Sequence, residues 1–304
     1  MKSFIYTVLL NTLRIFPFRN FLVHFLKKTS LFPLNKFYKD LKVFGDFKVK
    51  VMNDKFFKMR GFGGAIENET FWKGLFNSWE NETGWIFKHL VQKKKVIFDI
   101  GANAGIYSLV AKAINQESSV YAFEPSENTF SKLLINNKIN NFDINCEKIA
   151  LSSETGRSIF YDIPNHNQTS ASLSSKKLKD WDGYDGKIIE YEVEISTVDS
   201  YIQEKEIKDL DLVKIDVEMH EPEVLKGMKS AIKKFKPIII IEVLSDEIGE
   251  QIGSFFNEDW SFYLLKNDQL IKSEKLEYFI EEPYYFNYLI IHIDRNREIE
   301  QLLN

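Results

Sequence analysis

VIFDIGANAGIYS, residues 96–108, is the segment that decides the fold class. Its first five residues are apolar except for Asp99, and the turn Gly101-x-Asn103-x-Gly105 leads directly into residues with helical spacing of apolar side chains. Glycines allow a tight strand-to-helix turn without Cβ bulk, and they expose the backbone N–H groups at the helix start. The segment therefore predicts a strand, a turn that a ligand approaches closely, and a helix.

Short apolar segments alternate with amphipathic ones after residue 92, which is typical of a sheet built from strand–helix–strand units. Four isoleucines at 238–241 leave no polar face, so their strand should be covered on both sides, as in a parallel sheet. The last two apolar segments lack a helix between them and predict an antiparallel edge pair. We expect an α/β fold with a mostly parallel sheet of seven strands. The predicted strands are 96–100, 120–124, 143–151, 212–217, 237–244, 261–267 and 284–293, and the predicted helices are 105–114, 126–137 and 221–235.

Glu124 ends the second predicted strand, where a carboxylate can accept hydrogen bonds from both ribose hydroxyls. The turn departs from the dinucleotide fingerprint G-x-G-x-x-G, because Asn103 and Ile106 stand where its second and third glycines belong. Those glycines make room for a pyrophosphate, so the sequence indicates a nucleoside without phosphates. We expect S-adenosylmethionine, with a nucleotide-dependent oxidoreductase as the alternative. Its ribose should meet Glu124, its adenine Ala150, and its methionine end the turn at 99–105.

A second group of polar residues, in KIDVEMHEPEVLKG (214–227), follows the fourth predicted strand. Ligands of open parallel sheets bind at the carboxyl ends of the strands, so Asp216, Glu218 and His220 should face the same crevice as the glycine turn. A histidine titrates in the range needed to accept a proton, which makes His220, oriented by Glu218 or Glu221, the candidate base. Its alternative role is a turn residue that caps the next helix. Carboxylates also suit magnesium or calcium, but we favour a site without metal.

The charge distribution excludes some functions. The chain has 40 Lys and Arg against 44 Asp and Glu, a net charge of −4, which argues against nucleic-acid binding because that needs clustered positive charge. Residues 1–60 hold thirteen Lys or Arg and three acids, but their longest apolar run, 4–13, is too short for the roughly 20 residues of a membrane span. We expect a cytoplasmic protein whose basic N-terminus packs on the main domain, with peripheral contact at the inner membrane face as the alternative.

Residues 152–200 form a polar connection that is too long for an ordinary loop and ends in a predicted hairpin. The segment NHNQTS, residues 165–170, offers neutral hydrogen-bonding groups that suit a polyhydroxylated ligand. We therefore expect a small-molecule or glycan acceptor, and the alternative is a solvated loop.

These segments, together with IALSSETG (149–156) and STVDSYI (196–202), resemble the FkbM family of S-adenosylmethionine-dependent methyltransferases over about residues 80–293. This family has the Rossmann-like fold of class I methyltransferases. The chain departs from it at Met219, where the family usually has glycine, so the turn before His220 should be narrower or have altered backbone torsions. Glu82 and Thr83 resemble a family helix that caps the methionine end. The resemblance implies that the cofactor binds to Asp99, Gly101, Asn103, Gly105, Glu124 and Asp216.

The resemblance also implies a domain organisation and an activity. Residues 81–304 would form the methyltransferase domain, and residues 1–80 a helical N-terminal extension. The expected reaction is O-methylation of a hydroxyl, on a saccharide or a related metabolite. A protein that binds S-adenosylmethionine without catalysis is a second alternative.

Overall fold

The fold is that of a computed structural model, which describes residues 21, 23–25, 27, 41–77, 80–162, 172–173, 188–279 and 285–303. The strands are β1 (Phe44–Met52), β2 (Lys55–Phe62), β3 (Val96–Ile100), β4 (Ser119–Phe123), β5 (Asn145–Glu147), β6 (Ala150–Leu151), β7 (Gly156–Asp162), β8 (Ile189–Ser196), β9 (Leu212–Ile215), β10 (Ile238–Glu242), β11 (Trp260–Lys266), β12 (Gln269–Ser273) and β13 (Asn287–His292). The α-helices from residue 41 onward are α1 (Ala65–Lys73), α2 (Asn81–Leu90), α3 (Ile106–Ile114), α4 (Glu127–Asn140), α5 (Val198–Glu204), α6 (Glu221–Lys226), α7 (Lys229–Phe235) and α8 (Asp246–Gly253).

Eight strands form the central sheet, in the order β12-β11-β13-β10-β9-β3-β4-β5. The strands from β10 to β5 are parallel, and β13, β11 and β12 extend the sheet in antiparallel fashion at one edge. Residues 238–241 are buried between β9 and β13, as their unbroken apolar character predicts. The predicted Rossmann-like α/β fold is confirmed, and the sheet has one strand more than the predicted seven.

The additional strand is β12, which follows β11 through a two-residue turn. Both turn residues, Asn267 and Asp268, have left-handed backbone angles, with φ of 51° and 57°. Asn and Asp tolerate these angles and favour such tight hairpin turns. Because most residues of β12 are exposed, no apolar alternation marks the strand in the sequence. The Asn-Asp dipeptide is the one signal that could have revealed it.

Two predicted elements are divided in the structure. The predicted strand 143–151 is wrong as one unit: β5 pairs with β4 in the central sheet, whereas β6 pairs with β8 in a three-stranded sheet with β7. The predicted helix 221–235 breaks into α6 and α7 at Gly227. The Asp199 carboxylate accepts from the backbone N–H groups of Ser230 and Ala231, at 2.9 and 2.8 Å, and so starts a new helix.

The N-terminal extension is not helical throughout, contrary to the prediction, because β1 and β2 form an antiparallel hairpin. Alternate residues of the hairpin, such as Val49 and Phe57, are buried in the same hydrophobic cluster as Leu109 of α3. Alternation of this kind is the signature of a half-buried strand. None of the helices in the described ranges is long and apolar enough to span a bilayer. The peripheral membrane contact, which was the alternative for the basic N-terminus, concerns residues 1–28, and of these only 21, 23–25 and 27 are described.

Asn136 of α4 ties the hairpin to the glycine turn. Its fully buried side chain donates to the carbonyl oxygen of Ala104, at 2.9 Å, and accepts from the backbone N–H of Arg60, also at 2.9 Å. Asn140, the last residue of α4, also contacts β2. Its side-chain amide exchanges two hydrogen bonds with the backbone of Lys58. The extension therefore supports the loop that follows β3.

We expect Asn136→Ala to lower the free energy of unfolding by about 2 kcal/mol, because it leaves one buried and one partly buried backbone group without partners. Urea unfolding measures the loss. Asn140→Ala is the matched control, since water can replace its more exposed contacts, and we expect it to cost less than about 1 kcal/mol. Equal losses in the two variants would contradict the role assigned to Asn136.

Candidate active site

A cavity of about 830 Å³ lies at the carboxyl ends of β3, β4, β9 and β10. Open parallel sheets bind their ligands at this end of the strands. The glycine turn, the end of β4, the segment 149–151 and the turn after β9 all contribute to it. Ile66 and residues 80–82, which precede β3 in the sequence, also line the cavity. The predicted residues that line it are Gly101, Asn103, Glu124, Ala150, Asp216, Glu218, His220 and Glu82.

The glycine turn is shaped by contacts between chain segments as well as by its backbone angles. Gly101 has a φ of 82°, and a Cβ there would overlap the carbonyl oxygen of Asp216. Gly105 has a φ of 86°, and a Cβ there would overlap Leu133 of α4. Gly105 therefore serves helix packing and does not line the cavity. Asn103 lies between them in the left-handed region, with a φ of 51°.

Glu124 is almost fully buried at the end of β4. Its Oε2 accepts from the backbone N–H of Asn103, at 2.9 Å, and its Oε1 accepts from that of Ser126, at 2.8 Å. Burial raises the pKa of Glu124 to about 7, although these hydrogen bonds lower it. Each carboxylate oxygen has a second lone pair. The side chain thus fixes the glycine turn and keeps acceptor capacity toward the cavity.

Asp99 lies behind the cavity wall and not in its lining, contrary to its expected contact with the cofactor. Its Oδ2 accepts from both the backbone N–H and the hydroxyl of Ser108, at 3.0 and 2.6 Å. Oδ1 has no hydrogen-bond partner among the described residues. Burial raises the pKa of Asp99. Asp99 therefore holds α3 against β3 and supports the glycine turn between them without lining the cavity.

Lys214 is a site residue that the sequence analysis missed. It is buried in β9, and its Nζ lies 2.7 Å from Oδ2 of Asp216 and 3.9 Å from Oε2 of Glu80. Its ammonium also lies 4.3 Å from the ring centre of Tyr107. Burial lowers the pKa of Lys214, but the charges of Asp216, Glu80 and Asp99 outweigh it and hold that pKa above its ordinary value. A lysine inside the apolar segment LVKIDV was the available signal.

Glu80 is a second acid that the sequence did not reveal as part of the site. It lines the cavity just before α2, has a left-handed φ of 45°, and accepts from the Tyr107 hydroxyl. Burial raises the pKa of Glu80 to about 7, and the Lys214 charge opposes this shift. Of the two residues predicted in this region, Glu82 lines the cavity, whereas Thr83 is buried outside its lining.

His220 lines the cavity, and its Nε2 lies 2.9 Å from the hydroxyl oxygen of Ser152. It occupies the N-cap position of α6, but its side chain does not cap the helix. Burial lowers the pKa of His220, which favours a neutral ring near pH 7. Glu221 does not orient this ring as predicted, because its Oε1 accepts from the backbone N–H groups of Val217 and Met219. Ser152 takes the orienting position instead.

The turn before His220 has two consecutive residues in the left-handed region. Glu218 has a φ of 59° and Met219 a φ of 74°. Glycine adopts such angles most easily, which explains why a glycine is expected at position 219 and why methionine is unusual there. The hydroxyl of Ser172 donates to the carbonyl oxygens of Val217 and Glu218, at 3.1 and 2.8 Å. Part of the polar connection thus holds this turn.

The described part of the polar connection also contributes to the cavity wall. Ser172 and Leu173 line it, together with Ala150 and Phe160. β8 lies at the end of this connection, where the sequence predicts a hairpin, but its antiparallel partner β7 lies at the start of the connection. Residues 165–170, predicted to contact an acceptor, lie outside the described residues. Across the described ranges, no group of three or more His, Cys, Asp or Glu side chains is arranged to hold a metal ion.

A model of the methyltransferase FkbM domain matches residues 99–269, more than half of the chain. The chain belongs to the FkbM methyltransferase family. The family resemblance predicted from the sequence is confirmed. The matched range contains the glycine turn, Glu124, Asp216 and His220. Ile66 and Glu80, which line the same cavity, precede it, so this FkbM protein completes its site with residues outside the family domain.

The chain is also similar to individual methyltransferases. Hexuronic acid methyltransferase AglP of Haloferax volcanii is 27% identical over 152 residues, which are 49% of this chain and 56% of that protein. The chain thus spans little more than half the length of this curated relative. The methyltransferase FkbM of Methylobacillus flagellatus KT is 15% identical, with 65% of this chain and 43% of that chain covered and a TM-score of 0.39. An O-methyltransferase of Bacillus cereus in complex with SAH is 14% identical, with 70% and 80% covered and a TM-score of 0.39.

Proposed function

We propose that this FkbM protein transfers the methyl group of S-adenosylmethionine to a hydroxyl of a saccharide or a related metabolite. The observation that carries the proposal is that the glycine turn, Glu124 and His220 line one cavity. The similarity to a hexuronic acid methyltransferase supports a saccharide acceptor. Incubating a cell extract with labelled S-adenosylmethionine and the purified chain, and identifying the labelled product, tests the acceptor. Label on protein or nucleic acid alone would contradict it.

The cavity suits both ends of the cofactor. Glu124 would accept hydrogen bonds from the ribose, and the apolar wall at Ala150 would contact the adenine. Glu80, Glu82 and Asp216 place three carboxyl groups in the same lining, and among its described residues Lys214 is the one that carries an ammonium. This excess of acidic groups would attract the positive charges of the methionine end.

His220 would act as the general base. In the tautomer whose Nε2–H donates to Ser152, the Nδ1 lone pair is available for a proton. The acceptor oxygen would form a bond to the methyl carbon as the sulfur–carbon bond breaks. The hydroxyl proton would pass to His220, and S-adenosylhomocysteine would leave. Much of the rate would come from alignment of donor and acceptor in the cavity.

Cofactor affinity is expected to rise with pH through the raised pKa of Glu124, about 7. Only the ionised carboxylate accepts from both ribose hydroxyls, so binding is stronger above this pKa and weaker below it. Calorimetric titration with S-adenosylhomocysteine at pH 6 and pH 8 measures the change. Glu124→Gln should bind about tenfold more weakly at pH 8 and lose most of the pH dependence. A pH dependence that persists in the variant would assign it to another group, such as Glu80.

His220→Ala is expected to lower kcat by roughly 100-fold on the identified acceptor, because a positioned base typically contributes at least this factor. The wild-type rate should fall at acidic pH with an apparent pKa below the usual value for histidine, since burial lowers the pKa of His220. The variant should lose this acidic limb while it binds S-adenosylhomocysteine normally. A full rate in the variant would remove His220 from the mechanism.

A further inference from the structure

A second groove, of about 720 Å³, lies at the opposite end of the parallel strands from the cofactor cavity. Helix α7 forms one side, and Trp260 and His292, which pair across β11 and β13, form the other. These residues lie where β10 begins, whereas the cofactor cavity lies where it ends. The five residues of β10 separate the two by roughly 16 Å. The groove is therefore distinct from the candidate active site.

Four lysines, from the end of α6, from α7 and from the residue after α7, line one side of this groove: Lys226, Lys229, Lys233 and Lys236. The outer two each form an ion pair with a neighbouring carboxylate. For Lys229 and Lys233, the described part of the chain supplies no ion pair. Asp259, the one acid among the described lining residues, accepts from the Asn257 side chain at 3.1 Å and offsets one positive charge. With the two ion pairs and Asp259 counted, the described residues leave the groove with a net positive charge. The Nζ of Lys229 also lies 5.7 Å from the ring centre of Phe255, which lines the groove.

Lys229 and Lys233 are four residues apart, so their ammonium groups repel each other when no anion is bound. Residues four apart on a helix are neighbours on its surface, and like charges at this spacing destabilise the helix. Both side chains are exposed, so they are open to an external anion. A dianion between two ammonium groups one turn apart would relieve the repulsion and form charge-assisted hydrogen bonds.

The opposite side of the groove combines aromatic surface with a donor. The rings of Trp260 and His292 meet edge to face, with their centres 5.1 Å apart. The Nδ1 of His292 accepts from the backbone N–H of Asp294, at 3.1 Å. The neutral ring therefore carries its hydrogen on Nε2, which makes it a donor. Phe255 adds apolar surface to the groove, and so does Ile232 from α7.

We propose that this groove is a binding site for a diphosphate group. The two lysines without an ion pair would offset part of its negative charge, and its many acceptor oxygens suit their N–H groups. The aromatic and apolar side would contact an organic group attached to the diphosphate. Because that group could be a nucleoside or a prenyl chain, the diphosphate is the shared chemistry. This inference does not depend on the proposed methyl transfer.

Calorimetric titration of the full chain at low salt, with inorganic pyrophosphate, uridine diphosphate and farnesyl diphosphate in separate experiments, tests the site. We expect saturable 1:1 binding of pyrophosphate. Tighter binding of uridine diphosphate would identify a nucleoside as the source, and tighter binding of farnesyl diphosphate would identify a lipid. Failure of all three to bind saturably in the low millimolar range would overturn the proposal.

The double variant Lys229→Ala/Lys233→Ala should weaken binding of pyrophosphate by at least about tenfold, because each lysine donates a charge-assisted hydrogen bond. Lys234→Ala is the control, since Lys234 is exposed on the same helix but lies over Phe235 outside the groove lining. It should change affinity by less than about twofold. Equal weakening in control and double variant would also overturn the site. Titration with S-adenosylhomocysteine should be unaffected in all variants, which separates this test from that of the proposed function.

Discussion

Lys214→Met is expected to lower the free energy of unfolding by about 3–5 kcal/mol, the cost of removing one partner from a buried ion pair. The ammonium of Lys214 is buried, and it is shared by Asp216, Glu80 and Asp99. Methionine has a similar volume, so packing changes little while the carboxylates lose their counter-charge. Urea unfolding at pH 8 measures the loss. The deficit should shrink toward pH 5, because protonation removes the charge from the stranded carboxylates.

A double variant provides the control for this prediction. Lys214→Met combined with Glu80→Gln removes one stranded charge together with the lysine, so it should be more stable than Lys214→Met alone. Glu80→Gln by itself should have a small effect, since burial already raises the pKa of Glu80 to about 7. If Lys214→Met is as stable as the wild type, the three acids do not depend on this lysine.

Gly101→Ala is expected to destabilise the fold by about 3 kcal/mol or more and to abolish measurable cofactor binding. The φ of 82° costs an alanine about 1–2 kcal/mol, and overpacking typically adds about 1–3 kcal/mol. The added Cβ would overlap the backbone of Asp216, so relief requires movement of the glycine turn or of the turn after β9. Both turns line the cavity. Thermal unfolding and titration with S-adenosylhomocysteine measure the two effects.

Gly253→Ala is the matched control, because a Cβ at the last residue of α8 would meet no atom within 4 Å. Alanine favours helices more than glycine does, so this variant should be as stable as the wild type or slightly more so. If Gly101→Ala behaves like Gly253→Ala, the turn is free to adjust, and the close approach of the two loops does not constrain the site.

Much of the fold was predictable because its signals are local. The apolar character of 238–241 indicates a strand covered on both faces, and the glycine turn after β3 indicates a strand-to-helix connection. The division of the predicted strand 143–151 was not predictable, because apolar alternation does not reveal which strand is the partner. The hairpin β1–β2 does show alternation, so its strands were predictable from local pattern, although the family resemblance implied a helical extension here.

The candidate site was predictable to the extent that its residues sit at strand ends. Glu124, Asp216 and His220 line one cavity because parallel strands end at the same edge. The position of Asp99 was not predictable, since an acid at a strand end can face either the cavity or the neighbouring helix. Lys214 and Glu80 meet across more than a hundred residues of sequence, which no local pattern records.

The amino-acid sequence alone determined the alternation of strands and helices after residue 92, the family, and the end of the parallel strands at which the polar residues gather. Periodicity and glycine turns act over a few residues, so they can be read without a fold. Only the tertiary structure decided that Asn136 holds the glycine turn, that Ser152 contacts His220 from 68 residues away, and that Lys214 balances three acids. These pairings depend on which distant segments pack together, and burial then sets the charge of each group.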